Sequence, residues 1–466
     1  MRKIWHIISL IVLGACSVGP DYQQPDLWEE YKPSFASGEQ ILSDKKWYTI
    51  FNDEILNQII NHALQNSPDI KTAKSKLRQA RYSLNIKKVA FWPMIDASGA
   101  YNYAYAPKYN EFGDKSDYFK VGLDASWELD IWGGGRRQTE SYWAQYQASI
   151  NNLDDALLSL TAEIANNYIL LRATQEQLRI SKENLHLQQD ILNTVRDKYK
   201  SGLADDTALN QAEFAVQTTK SLIPDLEYQE SAYRGAIEIL AGEMPDTVEI
   251  LTQNTKNIVA KTFNFDLSKL SQFSFENVRY RPDVRAAENM LVSKNAEIGQ
   301  AIAALFPNVN VSALLGWQGH LIKDLGKSEN AAYGYNPTVI LPFLHWGQLT
   351  NQVKLSKEIK SEYFYAYQNA LLMAAQEVKN AVTAVKKEYE KNSALQKSVN
   401  NMQKVLSSMK IKYKEGLIEF SDLLLAEQHL LSAQNNLAAS RGAVYQHIVS
   451  FYKSVGGGYC AFNPRK

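Results

Sequence analysis

Cysteine is scarce in this 466-residue chain: only Cys16 and Cys460 occur, too few for a disulfide framework. Histidine is sparse too. His62, His186, His320, His345, His429 and His447 are scattered, without paired metal-ligand spacing and without a nucleophile motif nearby. The chain is therefore read as no enzyme, with no metal site and no cofactor. Net charge is missing as well: 50 Lys and Arg balance 50 Asp and Glu, which argues against nucleic acid as the partner. After residue 16 no apolar run is long enough to cross a bilayer as a helix. A membrane crossing would then need a closed β-barrel, the other structure that satisfies its own backbone in lipid. Gly133-Gly134-Gly135-Arg136-Arg137 lacks the Gly-Lys-Ser/Thr ending of a phosphate loop. It reads as a tight strand-to-helix turn.

Proline and glycine are also absent from Arg136 to Tyr199, and there the chain is most regular. Leu157, Ile164, Leu171, Leu178, Leu185, Leu192 and Tyr199 recur every seventh residue. Such a seam is that of left-handed coiled-coil packing, and at 1.5 Å per residue it predicts a rod of roughly 100 Å. Lys200-Ser201-Gly202 ends the rod with a basic turn and a glycine. A return helix follows, with Leu209, Ala212, Val216 and Leu222 as its stripe; Pro224 within it is expected to bend it.

The pattern occurs twice. Pro68, Pro93, Trp132-Gly133, Tyr199-Lys200-Ser201-Gly202-Leu203 and Gly242 recur 214 positions later as Pro282, Pro307, Trp346-Gly347, Tyr413-Lys414-Glu415-Gly416-Leu417 and Gly456. The second seam is Leu371, Val378, Val385, Asn392, Val399, Leu406 and Tyr413, with one polar member. A duplicated unit of about 200 residues follows.

Each repeat holds two strand-like stretches between its short and long helices. Phe119, Val121, Leu123, Ala125, Trp127, Leu129 and Ile131 alternate with polar or small residues, as do Ile95 to Tyr105, Val309 to Trp317 and Tyr333 to Phe343. About ten residues cross a bilayer at a tilt. Pro337 and Pro342 weaken the last of these. Asp96, Asp124, Glu128 and Asp130 fall on the polar face of the first pair. If that face lines a lumen, the pore favours cations.

The first residues resemble a bacterial lipoprotein signal. Met1-Arg2-Lys3 is basic, Ile4 to Val12 apolar, and Leu13-Gly14-Ala15 precedes Cys16. In such proteins the cysteine becomes the acylated first residue, and acylation contributes about 0.8 kcal/mol per buried methylene. Ser17, where some lipoproteins carry Asp, resembles the outer-membrane sorting pattern. The expected organisation is a signal peptide at 1–15, a lipid-anchored extended arm at 16–50, a first repeat at 51–242 and an equatorial linker at 243–280. A second repeat at 281–456 and a tail at 457–466 complete it. The β-hairpins are expected at about 94–131 and 308–344, and the helical hairpins at about 134–241 and 347–453. Ser67 is expected to cap the helix opening at Pro68, and Thr207 and Ser421 the two return helices.

The lipoprotein-like start CSVGPDYQQP (16–25), the doubled hairpins, the tips YKSGLADDTALNQAE (199–213) and YKEGLIEFSDLLLAEQ (413–428), and the Gly-Gly-Gly finish resemble the TolC/OprM family of outer-membrane factors. The resemblance implies a homotrimer in which each chain gives four strands to a twelve-stranded transmembrane β-barrel and its helices to an α-barrel tunnel. It implies a passive duct in the outer-membrane lipid, coupled to a periplasmic adaptor and an inner-membrane pump. Gly202, Leu203, Thr207, Gly416, Leu417 and Ser421 would meet the adaptor at the periplasmic tips. Asp205, Asp206, Glu419 and Asp422 would be the acids of a closable aperture; OprM-like members carry an aspartate a few residues further on, where Leu425 stands here. The alternatives are a periplasmic coiled-coil adaptor or structural lipoprotein, and the outer-membrane component of type I protein secretion. An adaptor would show one hairpin set in small β-domains.

Overall fold

The computed structural model describes residues 17–25, 45–105, 115–247, 257–271 and 276–459. The signal peptide with Cys16, most of the arm, the loop at 106–114, Cys460 and the tail beyond it lie outside the described residues. Eight helices and four strands are named here: α1 Glu54–Asn66, α2 Pro68–Val89, β1 Met94–Tyr105, β2 Lys115–Leu129, α3 Gly134–Lys200 and α4 Asp206–Ala241, then α5 Glu276–Arg279, α6 Pro282–Ala303, β3 Asn308–Gly319, β4 Ala331–Ile340, α7 Gln348–Lys414 and α8 Phe420–Ser454. The long helices α3 and α7 have 67 residues each and start 214 positions apart, so the duplication read from landmarks is a duplication of elements. The described residues form two compact units, one drawn from Met1–Asp26, Lys76–Ile150 and Ala286–Gln368, the other from Leu27–Ser75, Asn151–Arg285 and Asn369–Lys466.

The first unit holds one antiparallel sheet in the order β1-β2-β3-β4. Its register explains the alternation. Tyr101 lies opposite Phe119, Val121 opposite Trp317, Leu123 opposite Leu315, and Leu315 opposite Tyr333. The odd-numbered residues of all four strands therefore share one face, and these large apolar side chains are exposed, with Phe119 half-buried. The opposite face pairs Asp96 with Asp124, Lys120 with Gln318, Glu128 with Asn310 and Ser312 with Asn336. An exposed apolar face of this extent requires a non-aqueous surrounding.

Two strand ends differ from expectation. β2 stops at Leu129 rather than Ile131 because Asp130 leaves the ladder. Its carboxylate accepts from the amides of Gly135 (2.9 Å) and Arg136 (3.0 Å) and so closes the start of α3. β4 stops at Ile340, short of Pro342, which has no amide to give. Within the chain β4 pairs on one side only among the described residues, which accommodates Pro337 there.

The arm residues from Ser17 run against this unit. Val18 donates its amide to the Trp132 carbonyl (3.1 Å). Buried Arg137 reaches the carbonyls of Val18 and Gly19 and the carboxylate of Asp21 (2.7 Å), with Glu140 as a second acid.

The second unit is built on the heptad seams. Ile164 and Leu171 are fully buried in α3, and Leu371, Val378, Val385, Val399 and Leu406 are buried in α7. The polar member, Asn392, accepts from Thr262 (2.7 Å) and donates to Ser440 (3.1 Å). It ties α7 to α8 and to the linker at once, which satisfies a buried amide. α4 continues through Pro224 as one helix. Trp47, Phe51, Phe263, Tyr445 and Tyr452 form an aromatic cluster between the 47–51 turn, the linker and α8, Trp47 stacking on Tyr452 at 5.7 Å. Asp53 caps α1 and accepts from the Tyr168 hydroxyl at 2.8 Å; burial raises the Tyr168 pKa strongly. The expected cap at Ser67 is not made: its buried hydroxyl has no partner among the described residues, although Pro68 opens α2.

Candidate functional site

The two tips that join α3 to α4 and α7 to α8 have the same backbone. Leu203 donates its amide to the Lys198 carbonyl (2.8 Å) and Gly202 to Tyr199 (2.9 Å); Leu417 donates to Lys412 (2.9 Å) and Gly416 to Tyr413 (3.2 Å). This is the Schellman closure, in which the glycine takes the left-handed conformation. Gly202 has φ 70 and Gly416 φ 73, so a side chain at either position would be strained. Leu203 and Leu417 are pushed outward and are the most exposed apolar residues of the tips.

The start of each return helix departs from expectation. Asp205, not Thr207, caps α4: its backbone is extended and its carboxylate accepts from the Ala208 amide at 2.9 Å. α8 starts at Phe420 with Glu419 in the cap position and no side-chain cap bond; the Ser421 hydroxyl contacts Glu419 instead (3.4 Å). Both helices begin one residue before the predicted caps, so Thr207 and Ser421 fall inside the first turn. Asp205→Ala is expected to cost about 1 kcal/mol locally, read as faster amide exchange in the first turn of α4. Glu419→Ala should leave the first turn of α8 unchanged.

The remaining tip acids differ among themselves. Asp206 hydrogen-bonds the Tyr199 hydroxyl across the turn and thereby raises the Tyr199 pKa. Among the described residues Asp422 makes no ion pair, and it stands in the first turn of α8, where an acid suits the helix dipole. Behind the tips, Val195, Ala212, Ala215, Phe420 and Leu424 form one core with half-buried Leu192, Leu209 and Tyr413. Tyr413 also packs with Leu406 and Leu423 and lies under the Lys198 ammonium at 4.4 Å. Its repeat partner Tyr199 serves the turn, while Tyr413 serves the joint between hairpins.

Glu427 escaped the sequence reading. It lies on α8 one turn behind Leu423, is 4% exposed, and has Lys410 at 3.6 Å. Burial raises its pKa, and Lys410 offsets this only in part. A carboxyl whose folded pKa is raised supports the fold fully below its unfolded pKa and loses that support as pH rises through the folded value. The tip region is therefore expected to be more stable in mild acid than at pH 8. Glu427→Gln should raise the melting temperature at pH 8 and flatten its dependence from pH 5 to 8; a variant with the parent's slope would refute this.

On the sheet, the four acids expected in the lumen separate. Asp96, Asp124 and Glu128 share the polar face. Asp124 accepts from Ser98 and has Lys120 at 3.5 Å, and Glu128 accepts from Asn308 at 2.8 Å. Asp130 belongs to the helix turn instead, held by Arg136 at 3.1 Å. Among the described residues no group of three or more His, Cys, Asp or Glu side chains could hold a metal ion.

A model of the outer membrane efflux protein family matches residues 59–243 and 278–457. The chain is 26% identical to the probable efflux pump outer membrane protein TtgC of Pseudomonas putida, over 97% of its own length and 94% of that protein. Its fold matches the outer-membrane channel OprN at a TM-score of 0.85 and 27% identity, covering 96% of this chain and 100% of that one. It matches the Campylobacter jejuni CmeC outer membrane channel at 0.85 and 25%, covering 95% of each. These likenesses set aside the adaptor and structural-lipoprotein alternatives. The chain belongs to the outer membrane efflux protein family and is an outer-membrane channel of an efflux system.

Proposed function

We propose that three copies of this chain close into a passive, lipid-anchored exit duct, which receives substrates from a periplasmic adaptor and an inner-membrane pump and performs no chemistry itself. The sheet carries this reading. Among the described residues β1 pairs only with β2 and β4 only with β3, so four strands with an exposed apolar face end on two free edges. Open edges are not viable in lipid, and four strands are too few to enclose a pore. Pairing β4 of one copy with β1 of the next removes every edge, and three copies give twelve strands. Acylation at Cys16 would hold the chain to the same membrane, and Arg137 fixes the residues that follow it onto the sheet-bearing unit.

The tips serve as adaptor contacts through Gly202, Leu203, Thr207, Gly416, Leu417 and Ser421. Asp206, Asp422, Asp205 and Glu419 are the proposed aperture acids. Asp205 is committed to its helix cap, which leaves Asp206 and Asp422 as the better candidates for a movable contact. Asp96, Asp124 and Glu128 would face the lumen. The test is conductance of the purified protein in planar bilayers. The parent is expected to form rarely open pores, and Asp206→Asn with Asp422→Asn to raise the open fraction several-fold. A protein that forms no pores overturns the duct; an unchanged open fraction overturns the gating role.

A further inference from the structure

The apolar face of the sheet ends where the helices begin, and the first helix to reach that level carries a surplus of positive charge. Two contacts place the level. Trp127, on the apolar face of β2, donates its indole N–H to the Phe91 carbonyl just past the end of α2 (2.9 Å). Ser17, next to the proposed lipidation site, lies so close to the turn into α3 that a Cβ at Gly133 would stand 2.8 Å from its Cα. The end of α2 and the start of α3 therefore lie on the lipid side of the sheet, at the edge of the membrane.

Residues 76–89 of α2 hold Lys76, Arg78, Arg81, Lys87 and Lys88 and no acid. None of the five makes an ion pair among the described residues. The helix dipole accounts for cations in the last turn only. The equivalent stretch of α6 has one cation, Lys294, paired with Glu297 at 2.9 Å, and the equivalents of Lys87 and Lys88 are Ala301 and Ile302. The surplus thus belongs to one of the two repeats. It is also ordered in depth. Arg81 and Lys88, both exposed, are seven residues apart and share one face of α2. Trp92 follows between the helix and the sheet, 73% exposed. Lys88 stands five residues, roughly 8 Å, before Pro93, so its flexible stem reaches a headgroup layer about 5–7 Å thick.

We infer that the flank of Arg81, Lys88, Trp92 and Trp143 binds the phosphate of an anionic phospholipid headgroup. This rests on the reading of the sheet as a membrane-spanning wall and adds to it the lipid that meets its edge. The Lys88 ammonium lies 5.5 Å from the Trp143 ring centre on α3. Trp143 is half exposed and stands three residues beyond Glu140 on the same flank. Glu140 holds Arg137, and Arg137 holds the arm that leads to the lipidation site, so this flank faces the membrane surface. Lys87 lies over Tyr142 instead, at 5.4 Å; Tyr142, two residues past Glu140, is turned to the far side of α3. The chemistry selects among headgroups. A zwitterionic headgroup brings its own cation to its phosphate, whereas phosphatidylglycerol leaves the phosphate charge to be met by the protein. Tryptophan rings favour this same depth of the interface.

Full-length protein extracted from outer membranes, selected by its heat-modifiable mobility, tests the site. It is titrated in neutral detergent with phosphatidylglycerol or phosphatidylcholine, and bound lipid is counted by native mass spectrometry. The parent should prefer phosphatidylglycerol by about fivefold for each cation near the headgroup. Lys88→Gln should lower that preference about fivefold, and adding Arg81→Gln should remove it. Lys88→Arg keeps the charge and should keep the preference, as should Lys87→Gln on the far side. Equal binding of the two lipids by the parent overturns the site, and so does a preference that survives the Arg81→Gln, Lys88→Gln pair. Displacement of the lipid by glycerol 1-phosphate at equal concentration overturns the lipid assignment and leaves a site for soluble phosphate esters. A parent that gives no heat-modifiable species in the outer membrane overturns the spanning reading itself.

Discussion

Gly316→Val is expected to abolish the assembled protein, leaving less than about a tenth of the parent's heat-modifiable species in the outer membrane. Gly316 lies directly opposite Gly122 in the β2–β3 ladder. A Cβ on Gly316 would stand 2.3 Å from the Val121 carbonyl oxygen and 2.7 Å from the Gly122 Cα. Both are backbone atoms, so no rotamer change relieves the clash. Ordinary overpacking costs about 1–3 kcal/mol; here the ladder itself must part. The ladder at risk joins the two repeats, because β1-β2 and β3-β4 belong to different halves. Its loss would leave two hairpins, each only marginally stable alone. Gly334→Val is the control. It sits on β4 with nothing of its own chain within 4 Å of its Cβ position, so the β2–β3 joint and the folding of the single chain should match the parent. Normal assembly of Gly316→Val would show that the β2–β3 joint is looser than its geometry.

The sequence disclosed the strands because their apolar period matches a register that puts every odd residue on one face. It disclosed the rods because the seven-residue repeat runs unbroken, and the repeats because glycines and prolines at backbone turns are retained at one offset. What it hid were single polar residues whose meaning depends on distant elements. Asp130 reads as one more alternating acid and proves to be a helix cap, since only the fold brings the Gly135 and Arg136 amides back to it. Glu427 sits in a helix rich in polar residues, and nothing in its neighbours announces burial. At the tips, Asp205 competed with Thr207 for one cap, and the shorter acidic side chain one residue before the helix took it.

Arg281→Ala is the second large effect expected, at a position where the two repeats carry different side chains. Ser67 stands at the equivalent place before Pro68, a small buried residue with no hydroxyl partner among the described residues. Before Pro282 the site holds a buried guanidinium. It forks onto Asp283 at 3.0 and 2.8 Å, reaches Glu377 on α7 at 2.7 Å and donates to the Ser454 carbonyl at the end of α8 at 3.1 Å. One side chain thus closes three helices, and its pKa is raised because the two acids outweigh burial. Removing it leaves Asp283 and Glu377 facing each other and the carbonyl unmet. Asp155 already has its pKa raised by burial and by these same acids, with Lys453 and Arg281 opposing; loss of Arg281 raises it further. Breaking a buried pair by deleting one partner costs about 3–5 kcal/mol. The lower end applies here, since Glu377 is half exposed and water screens it. About 3 kcal/mol corresponds to on the order of 100-fold faster amide exchange at the start of α6. Arg281→Lys keeps the charge but loses the fork, so it should fall between parent and alanine. Exchange rates for the alanine variant within about twofold of the parent would mean that the aromatic cluster, not this guanidinium, holds the ends of α6 and α8 together.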